Sequence, residues 1–220
     1  SDFINAAVIV DAVRTPIGRA HATSGCFRDV RADELSASLI TDLVGRTAID
    51  PNLIEDVRWG CVQQQGEQGL DIARIAALMA GLPIETAGVT INRNCGSSLQ
   101  ALNDAAMSIM AGCENVQVAG GVEHMDHVPM TKDYNPAPGL FRNYSEAINH
   151  MGLTAEFLAT KYGIGRAEQD AFALRSHQLA ATATRDGGFS DEVMPTWGRD
   201  EQGHKAQVAT DQCIREDCSI

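Results

Sequence analysis

One cysteine of the chain stands at the joint between two stretches of opposite local preference. Before Cys95, the segment 88–92 has the β-branched residues of a buried strand, and the segment 97–111 after it has a helical pattern. A sulfur at a helix N-terminus lies near unpaired N–H groups and the positive end of the dipole, which favour the nucleophilic thiolate. Gly96 carries no Cβ that would crowd an incoming carbonyl group, and backbone N–H groups at the joint can form an oxyanion hole. The pattern therefore indicates a cysteine nucleophile for carbonyl chemistry.

The local pattern leaves a second interpretation of Cys95 open. Free cysteines are among the most buried residue types and mostly pack as small apolar side chains. We give that structural interpretation to the other five cysteines, which form no Cys-x-x-Cys pair and no cysteine–histidine pattern with metal-ligand spacing: Cys26, Cys61, Cys113, Cys213 and Cys218. No disulfide framework is expected at this size and spacing, so we expect reduced thiols.

A catalytic thiol also needs a base or a paired cation, and three histidines are candidates. His124, His127 and His150 flank an irregular, proline-containing segment and are placed to reach a cleft. A hydrogen-bonded structural role is the alternative for each of them. We interpret Ser97 and Ser98 as helix-capping groups rather than nucleophiles.

The elements that position these residues alternate between strand and helix. Four strands are predicted, at 6–13, 56–64, 88–92 and 115–123, and three helices, at 34–47 (capped by Asp33), 69–82 and 97–111. This alternation predicts an α/β fold with a mainly parallel sheet and covering helices. The glycines of Ala-Gly-Gly-Val-Glu, at the end of the last strand, do not match a dinucleotide-binding Gly-x-Gly-x-x-Gly pattern.

The pattern changes after residue 123. An irregular stretch with three prolines is followed by two helical segments, INHMGLTAEFLATKYG and GRAEQDAFALRSHQLAATATRDG, and by short strand-like pieces. This excursion is too long for a plain loop. We therefore predict two domains, an α/β half-domain at 1–123 and an inserted, mostly helical domain at 124–220.

Charge and hydropathy exclude several classes of function. The formal net charge at pH 7 is −12, whereas proteins that bind nucleic acid are usually basic, so DNA and RNA are poor candidate partners. No apolar stretch approaches the roughly 18–20 residues of a membrane span, and the sequence opens without a charged-then-apolar leader. We therefore expect a cytoplasmic protein without a membrane span.

Several segments, in order, resemble the thiolase family. NRNCGSSLQAL (92–102) resembles the acyl-enzyme cysteine segment of that family, and VAGGVEHMDHVPM (118–130) resembles its signature strand and exit loop. Three further segments are also thiolase-like: VIVDAVRTPIGR, GCVQQQGEQGLDIAR and NHMGLTAEFLATKYGIGRAEQDAFALRSHQLA. The resemblance covers essentially the whole chain. GCVQQ and VEHMDHVPM look closest to the 3-ketoacyl-CoA thiolase branch of bacterial fatty-acid β-oxidation.

The resemblance implies an acyltransferase that cleaves 3-ketoacyl-CoA with free CoA to acetyl-CoA and a shortened acyl-CoA, or runs the reverse condensation. It implies a thiolase-like N-terminal half with an inserted loop domain, in which Cys95 carries the acyl group in a ping-pong scheme. His150 and Met151 match the family's His-Met-Gly segment at the pantetheine end of the CoA pocket, and a core contact is the alternative for Met151. No permanently bound cofactor and no metal is implied, because coenzyme A and acyl-CoA are substrates.

The family also implies a homo-oligomer, such as a homodimer, and a multienzyme partner subunit of β-oxidation. Three alternatives stay open. The chain is compatible with a biosynthetic, acetoacetyl-CoA-forming thiolase and with a non-catalytic CoA-binding or assembly half. A ketoacyl-synthase-like condensing enzyme that uses acyl carrier protein is the third, and the thiolase-like loop domain argues against it.

The sequence departs from the family pattern in one respect. Thiolases carry an Asn-Glu-Ala-Phe segment, a Gly-His-Pro segment whose histidine activates the nucleophile, and a late Cys-x-Gly segment whose cysteine is the acid/base, and none of these occurs here. Truncation, a natural half with a separate second half, and a non-catalytic module each fit this departure. We favour truncation because the sequence stops inside the inserted domain. We expect negligible turnover by this chain alone, and an exposed apolar patch that promotes association.

Overall fold

The computed structural model of the chain describes residues 6–219, which form two compact units. The first unit contains the residues up to Lys132 together with Asp191–Cys213, and the second contains Asp133–Ser190 together with the residues from Ile214. These bounds differ from the predicted domains, 1–123 and 124–220, because the first unit continues past residue 123 and also includes the segment from Asp191. No helix between residues 6 and 219 is both long enough and apolar enough to cross a membrane.

The first unit is built on a three-stranded parallel sheet. Strands β1 (Asp56–Gly60), β2 (Ala87–Ile91) and β3 (Gln117–Gly121) lie in the order β2-β1-β3. The central strand β1 places Asp56 opposite Ala87 of β2 and opposite Gln117 of β3. Three helices alternate with the strands along the chain: α1 (Ala32–Thr47), α2 (Ile72–Met79) and α3 (Ser97–Met110). The predicted α/β class with a parallel sheet and helices is confirmed.

Small side chains bring the helices close to the sheet. Ala73, Ala76 and Ala77 of α2 are fully buried and belong to one apolar cluster with Val57 and Trp59 of β1. Alanine loses little conformational entropy in a helix and leaves room for a neighbouring backbone. Burial of a side chain such as valine or tryptophan stabilises the fold by about 1.5–3 kcal/mol or more. The core therefore lies between α1, α2 and the face of the sheet.

The segment from Asp191 adds an antiparallel hairpin to the first unit. Strand β4 (Thr196–Arg199) pairs with strand β5 (Lys205–Val208). The Arg199 N–H donates a hydrogen bond to the Cys26 carbonyl at 2.7 Å. The hairpin is thus joined to the loop that precedes α1.

The second unit is mostly helical, as predicted. It contains α4 (Met151–Tyr162) and α5 (Arg166–Arg185), preceded by short 3₁₀ turns at Leu140–Arg142 and Glu146–Asn149. Helix α4 ends at Gly163, whose φ of 66° is readily adopted by glycine.

The segment 6–13 differs from the prediction of a buried strand. It is not paired in a sheet, and the side chains of Val8, Ile9 and Val10 are 74%, 71% and 78% exposed. A strand is stable when a neighbouring strand pairs with its N–H and C=O groups, and the described residues provide no such neighbour here. The prediction of a buried strand is therefore wrong for this segment.

The start of α1 also differs from the prediction that Asp33 caps it. The N-cap is Arg31, whose N–H donates to the Glu34 carboxylate at 3.4 Å. Asp33 is buried in the first turn, where its carboxylate pairs with the Arg31 guanidinium at 2.6 Å. An acidic residue in the first turn interacts favourably with the helix dipole, so Asp33 stabilises the helix start without capping it.

Candidate active site

Cys95 lies in a loop at the edge where the three parallel strands end. The loops after β1, β2 and β3 begin at Cys61, Asn92 and Val122. Because parallel strands point the same way, these loops meet at one edge, the usual location of ligand sites in open α/β sheets. Cys95 is exposed, and only Gly96 separates it from the start of α3. The alternative of a buried structural cysteine therefore does not fit Cys95. Cys113 and Cys213 are exposed as well, so the prediction that they pack as buried apolar side chains is wrong, whereas Cys26 and Cys61 are buried as predicted.

Hydrogen bonds fix the turn that carries Cys95. Asn94 has a left-handed backbone with a φ of 48°. Its N–H donates to the Asn92 side-chain oxygen at 2.9 Å, and its carbonyl accepts from the Ser97 hydroxyl at 2.6 Å. The Ser97 oxygen also accepts from the Arg93 N–H at 2.9 Å. Ser97 thus closes the turn before the helix and is not the N-cap that the sequence suggested.

Two backbone N–H groups at this joint already have acceptors. The Gly96 N–H donates to the Arg93 carbonyl at 3.1 Å, and the Ser97 N–H donates to the Asn94 carbonyl at 3.0 Å. A donor in an oxyanion hole has to point at the position of the developing oxyanion. These two groups therefore do not serve as the oxyanion hole expected at the joint.

Two glycines allow the N-terminus of α3 to lie directly on the sheet. A Cβ atom at Gly60 would lie 2.5 Å from the carbonyl carbon of Ser97, and a Cβ atom at Gly121 would lie 2.6 Å from the Gly60 carbonyl oxygen. Neither position has room for a side chain. The two glycines therefore allow the close approach of the first turn of α3 to the sheet. The glycines before Val122 do not match a dinucleotide-binding pattern, and this packing role is not visible from the sequence.

Glu123 connects the loops after β1 and β3. Its carboxylate accepts hydrogen bonds from the N–H groups of Val62 at 2.9 Å and Gln63 at 3.1 Å. It also accepts from the Gln68 side-chain amide at 2.9 Å. The loop after β2 joins this network because the Asn92 amide donates to the Val62 carbonyl at 3.1 Å.

Neither Glu123 nor Asn92 was singled out from the sequence. Both are polar residues that follow a strand by one or two positions, and polar residues at the carboxyl ends of parallel strands are the signal that identifies them.

The two histidines after β3 have structural partners instead of a free ring nitrogen near Cys95. His124 is buried; its Nε2 pairs with the Phe27 carbonyl at 3.1 Å, and its Nδ1 accepts from the His127 N–H at 3.3 Å. His127 contacts the Arg28 carbonyl at 2.7 Å and the Glu67 carboxylate at 2.9 Å. These contacts match the structural alternative for both histidines.

Cys61 contrasts with Cys95 although it lies at the same edge of the sheet. Cys61 is 1% exposed, and its sulfur accepts a hydrogen bond from the Gln68 amide at 3.4 Å. Burial, and secondarily the negative charge of Glu123, raises the pKa of the Cys61 thiol to about 12. Cys61 is therefore inert near neutral pH, which agrees with its structural interpretation.

His150 and Met151 lie side by side in the second unit, at the start of α4. His150 is the N-cap, and its carbonyl accepts a hydrogen bond from the Thr154 N–H at 3.1 Å. Met151 is 77% exposed. Such exposure does not fit the alternative of a core contact for Met151, and both side chains are open to a ligand.

A cavity of about 320 Å³ lies elsewhere in the first unit. Its walls include Phe27, Leu35 and Trp59, together with His124 and the loop 15–20. Cys95 does not line it, although Gly121 and Glu123, which support the loops around Cys95, do.

Comparisons with known proteins agree with this architecture. A family model described as the thiolase N-terminal domain matches residues 7–220. The 3-ketoacyl-CoA thiolase of Vibrio cholerae serotype O1 is 49% identical over 218 residues, which are 99% of this chain and 56% of that protein. The 3-ketoacyl-CoA thiolase of Citrobacter koseri is 50% identical over 214 residues, which are 97% of this chain and 54% of that protein.

A solved structure matches the whole chain. The crystal structure of the Bacillus anthracis acetyl-CoA acetyltransferase aligns with a TM-score of 0.84 and 34% identity, covering 100% of this chain and 57% of that one. The chain spans about half the length of the curated relatives it matches. Because the family model covers nearly all of it and includes the cysteine joint, the chain belongs to the thiolase family.

Proposed function

We propose that this chain is the nucleophile-bearing half of a thiolase-type acyltransferase that acts on 3-ketoacyl-CoA and coenzyme A. The observation that carries the proposal is the exposed Cys95 in front of α3, at the carboxyl edge of the parallel sheet of a thiolase-family chain. A thiolate at this position is stabilised by the positive end of the α3 dipole.

The proposed reaction has two acyl-transfer steps. The Cys95 sulfur attacks the keto carbon C3, the C2–C3 bond breaks, and the acyl group remains on the sulfur as a thioester. The two-carbon fragment takes up a proton and leaves as acetyl-CoA. The thiol of a second CoA then attacks the thioester, which releases the shortened acyl-CoA and returns the proton to Cys95. Both steps need a positioned acid or base.

This chain alone is proposed to lack full turnover. The ring nitrogens of His124 and His127 have protein partners, and the family's Asn-Glu-Ala-Phe, Gly-His-Pro and late Cys-x-Gly segments do not occur in the sequence. Removal of a catalytic base or nucleophile from a triad-like site typically lowers the rate by about 10⁴–10⁶-fold. We therefore expect acyl transfer to Cys95 without efficient cycling.

The second unit is proposed to contact the substrate through His150 and Met151. Both lie exposed at the start of α4, where they are accessible to the pantetheine arm of a CoA thioester. No permanently bound cofactor is proposed, because CoA and acyl-CoA are the reactants. We assign the protein to cytoplasmic fatty-acid β-oxidation, as a homo-oligomer that works with a multienzyme partner subunit.

The named relatives favour the degradative over the biosynthetic reaction. Identity to 3-ketoacyl-CoA thiolases is 49% and 50%, compared with 34% to the acetyl-CoA acetyltransferase. The second candidate is a non-catalytic CoA-binding half. It is favoured by the Gly96 and Ser97 N–H groups, because both already donate hydrogen bonds within the turn.

The test is intact-mass spectrometry with peptide mapping after incubation with acetyl-CoA and with a medium-chain acyl-CoA. We expect an acyl adduct on Cys95 that is absent from Cys95→Ser. Cys113→Ser is the matched control, because it removes another exposed cysteine and should keep the adduct. If iodoacetamide alkylates Cys95 while neither thioester acylates it, the non-catalytic candidate replaces the proposal.

A further inference from the structure

One of the side chains that hold the turn before Cys95 also bridges two loops. Asn92 accepts from the Asn94 N–H through Oδ1 at 2.9 Å and donates to the Val62 carbonyl through Nδ2 at 3.1 Å. An asparagine can do both only when its amide lies between the two loops. The left-handed Asn94, with a φ of 48°, is the residue directly before Cys95.

Asparagine adopts the left-handed backbone more readily than most residues other than glycine, and hydrogen bonds to its N–H and carbonyl groups hold it in that region. Here the Asn94 N–H is held by Asn92 and the Asn94 carbonyl is held by the Ser97 hydroxyl at 2.6 Å. The Asn92 contact is therefore one of the hydrogen bonds that fix the turn before Cys95, and it is the one that ties this turn to the loop after β1.

The loop that receives the Asn92 amide is itself fixed. Val62 donates its N–H to Glu123 at 2.9 Å. Gln68, which is fully buried, donates to the same carboxylate at 2.9 Å and accepts from the His124 N–H at 2.7 Å. The loop after β3 thus supports the loop after β1, and that loop supports Asn92.

We propose that Asn92 is a positioning residue for the Cys95 nucleophile and that Glu123 acts through it as the second member of the same relay. The inference rests on the proposed function, since it takes Cys95 to be the acyl acceptor. Asn92 holds the Asn94–Cys95 turn, so that Cys95 keeps its position directly before Gly96 and the start of α3.

Three cysteines of the chain provide a test that does not depend on acyl transfer. The rate of iodoacetamide alkylation is measured by peptide mapping from pH 6 to pH 10 for Cys95, Cys113 and Cys61. Cys113 is exposed just beyond the end of α3 and serves as the reference thiol. Cys61 is 1% exposed and reports unfolding, because it reacts only when the core opens.

In Asn92→Ala we expect the Cys95 rate, relative to Cys113, to fall roughly fivefold at neutral pH, the scale of a helix-terminus effect on one charge. The Cys113 rate itself should be the same in Asn92→Ala and in the wild type. Glu123→Gln should change the profile in the same direction by a smaller factor. Asn103→Ala, an exposed substitution on α3, should leave it unchanged.

An unchanged Cys95 profile in Asn92→Ala, with Cys61 still protected, overturns the positioning role. If Cys61 becomes reactive in Asn92→Ala, that variant has lost its fold, and the test rests on the Cys95 profile of Glu123→Gln. If Cys61 becomes reactive in both variants, Asn92 and Glu123 serve only to stabilise the fold. The acyl-CoA incubation is run in parallel. If iodoacetamide alkylates Cys95 but the acyl-CoA does not acylate it, the proposed function is contradicted. The role of Asn92 is then still tested by the alkylation rates alone.

Discussion

The imidazole rings of His124 and His127 stack with their centroids 3.9 Å apart and their planes inclined by 17°. The two rings have different hydrogen-bonding requirements. His124 donates from Nε2 to the Phe27 carbonyl and accepts at Nδ1 from a backbone N–H, which suits the neutral ring. Both nitrogens of His127 face acceptors, the Arg28 carbonyl and the Glu67 carboxylate, which suits the cation.

The His127 contacts predict a loss of stability as the pH rises. Burial lowers the pKa of His127, but the Arg28 carbonyl and Glu67 outweigh it and raise the pKa above its ordinary value. Because the folded-state pKa is the higher one, the stabilisation is complete below pH about 6.5 and disappears as the pH rises through the folded-state pKa.

Urea unfolding of the chain between pH 5.5 and pH 8.5 measures this effect. The free energy of unfolding of the wild type should fall from pH 5.5 to pH 8.5 by more than that of His127→Gln. His21→Gln removes an exposed histidine of the same unit and should show the same fall as the wild type. Equal pH dependence in the wild type and in His127→Gln would contradict the cationic assignment.

Asp211 predicts the opposite dependence at acid pH. Burial raises the pKa of Asp211, but the Arg14 guanidinium at 2.7 Å and the Ile17 N–H at 2.8 Å outweigh it and lower the pKa below its ordinary value. The stabilisation is complete above pH about 4, the ordinary value, and is lost as the pH falls through the folded-state pKa.

Asp211→Asn should therefore destabilise the first unit at pH 7 by about 1.5–3 kcal/mol, the range for hydrogen bonds to charged groups. The difference from the wild type should shrink below pH 3. Chemical denaturation at pH 7 and at pH 2.5 measures this difference. Asp42→Asn, at an exposed position of α1, is the control. A penalty as large at pH 2.5 as at pH 7 would refute the linkage.

Gly60 predicts a steric limit on the position of α3. Gly60→Ala places a Cβ 2.5 Å from the Ser97 carbonyl carbon, and overpacking of this kind typically costs about 1–3 kcal/mol. Gly45→Ala is the matched control, since a Cβ there meets no atom within 4 Å and Gly45 lies inside α1. Gly45→Ala should stabilise the chain by about 0.5–1 kcal/mol, because alanine has the higher helix propensity. Denaturant midpoints of the two variants should move in opposite directions.

The exposed run at 8–10 predicts self-association. Val8, Ile9 and Val10 are each more than 70% exposed, and burying one such side chain contributes about 1.5–3 kcal/mol. Sedimentation should show a concentration-dependent mass, and Val10→Lys should weaken the association roughly tenfold or more. Asn103→Lys adds the same charge at an exposed position of α3 and should leave the association unchanged. A constant monomer mass across the concentration range would rule this out.

The joint at Cys95 could be predicted because its signal is local. The change from strand to helix pattern occurs within a few residues, and α3 begins at Ser97 as predicted. The segment 6–13 has a similar apolar, β-branched pattern to β2, and no residue of β2 is fully buried either, contrary to the prediction of a buried strand, but β2 pairs with β1 whereas 6–13 is unpaired. The difference between the two is the presence of a neighbouring strand, which residue patterns do not contain.

The support around the site could not be predicted for the same reason. His124 contacts the carbonyl of Phe27, which is distant in sequence, and Glu123 contacts the loop that starts at Cys61. Such contacts depend on how the loops after the strands meet, and not on spacing along the chain. A glycine at the end of an apolar strand was visible at Gly60, but its reason lies in the approach of α3.

The strand order also has a consequence for the sequence of events during synthesis. β1 pairs residue 56 with residue 87 of β2 and with residue 117 of β3, and contacts between nearer residues form with a smaller loss of chain entropy. A ribosome adds about 5–20 residues per second from the N-terminus. The pair β1–β2 and the turn before α3 can therefore form before Glu123 has been added. The loop that carries Cys95 is therefore synthesised before Glu123, whose carboxylate completes the hydrogen bonds that hold the neighbouring loop after β1.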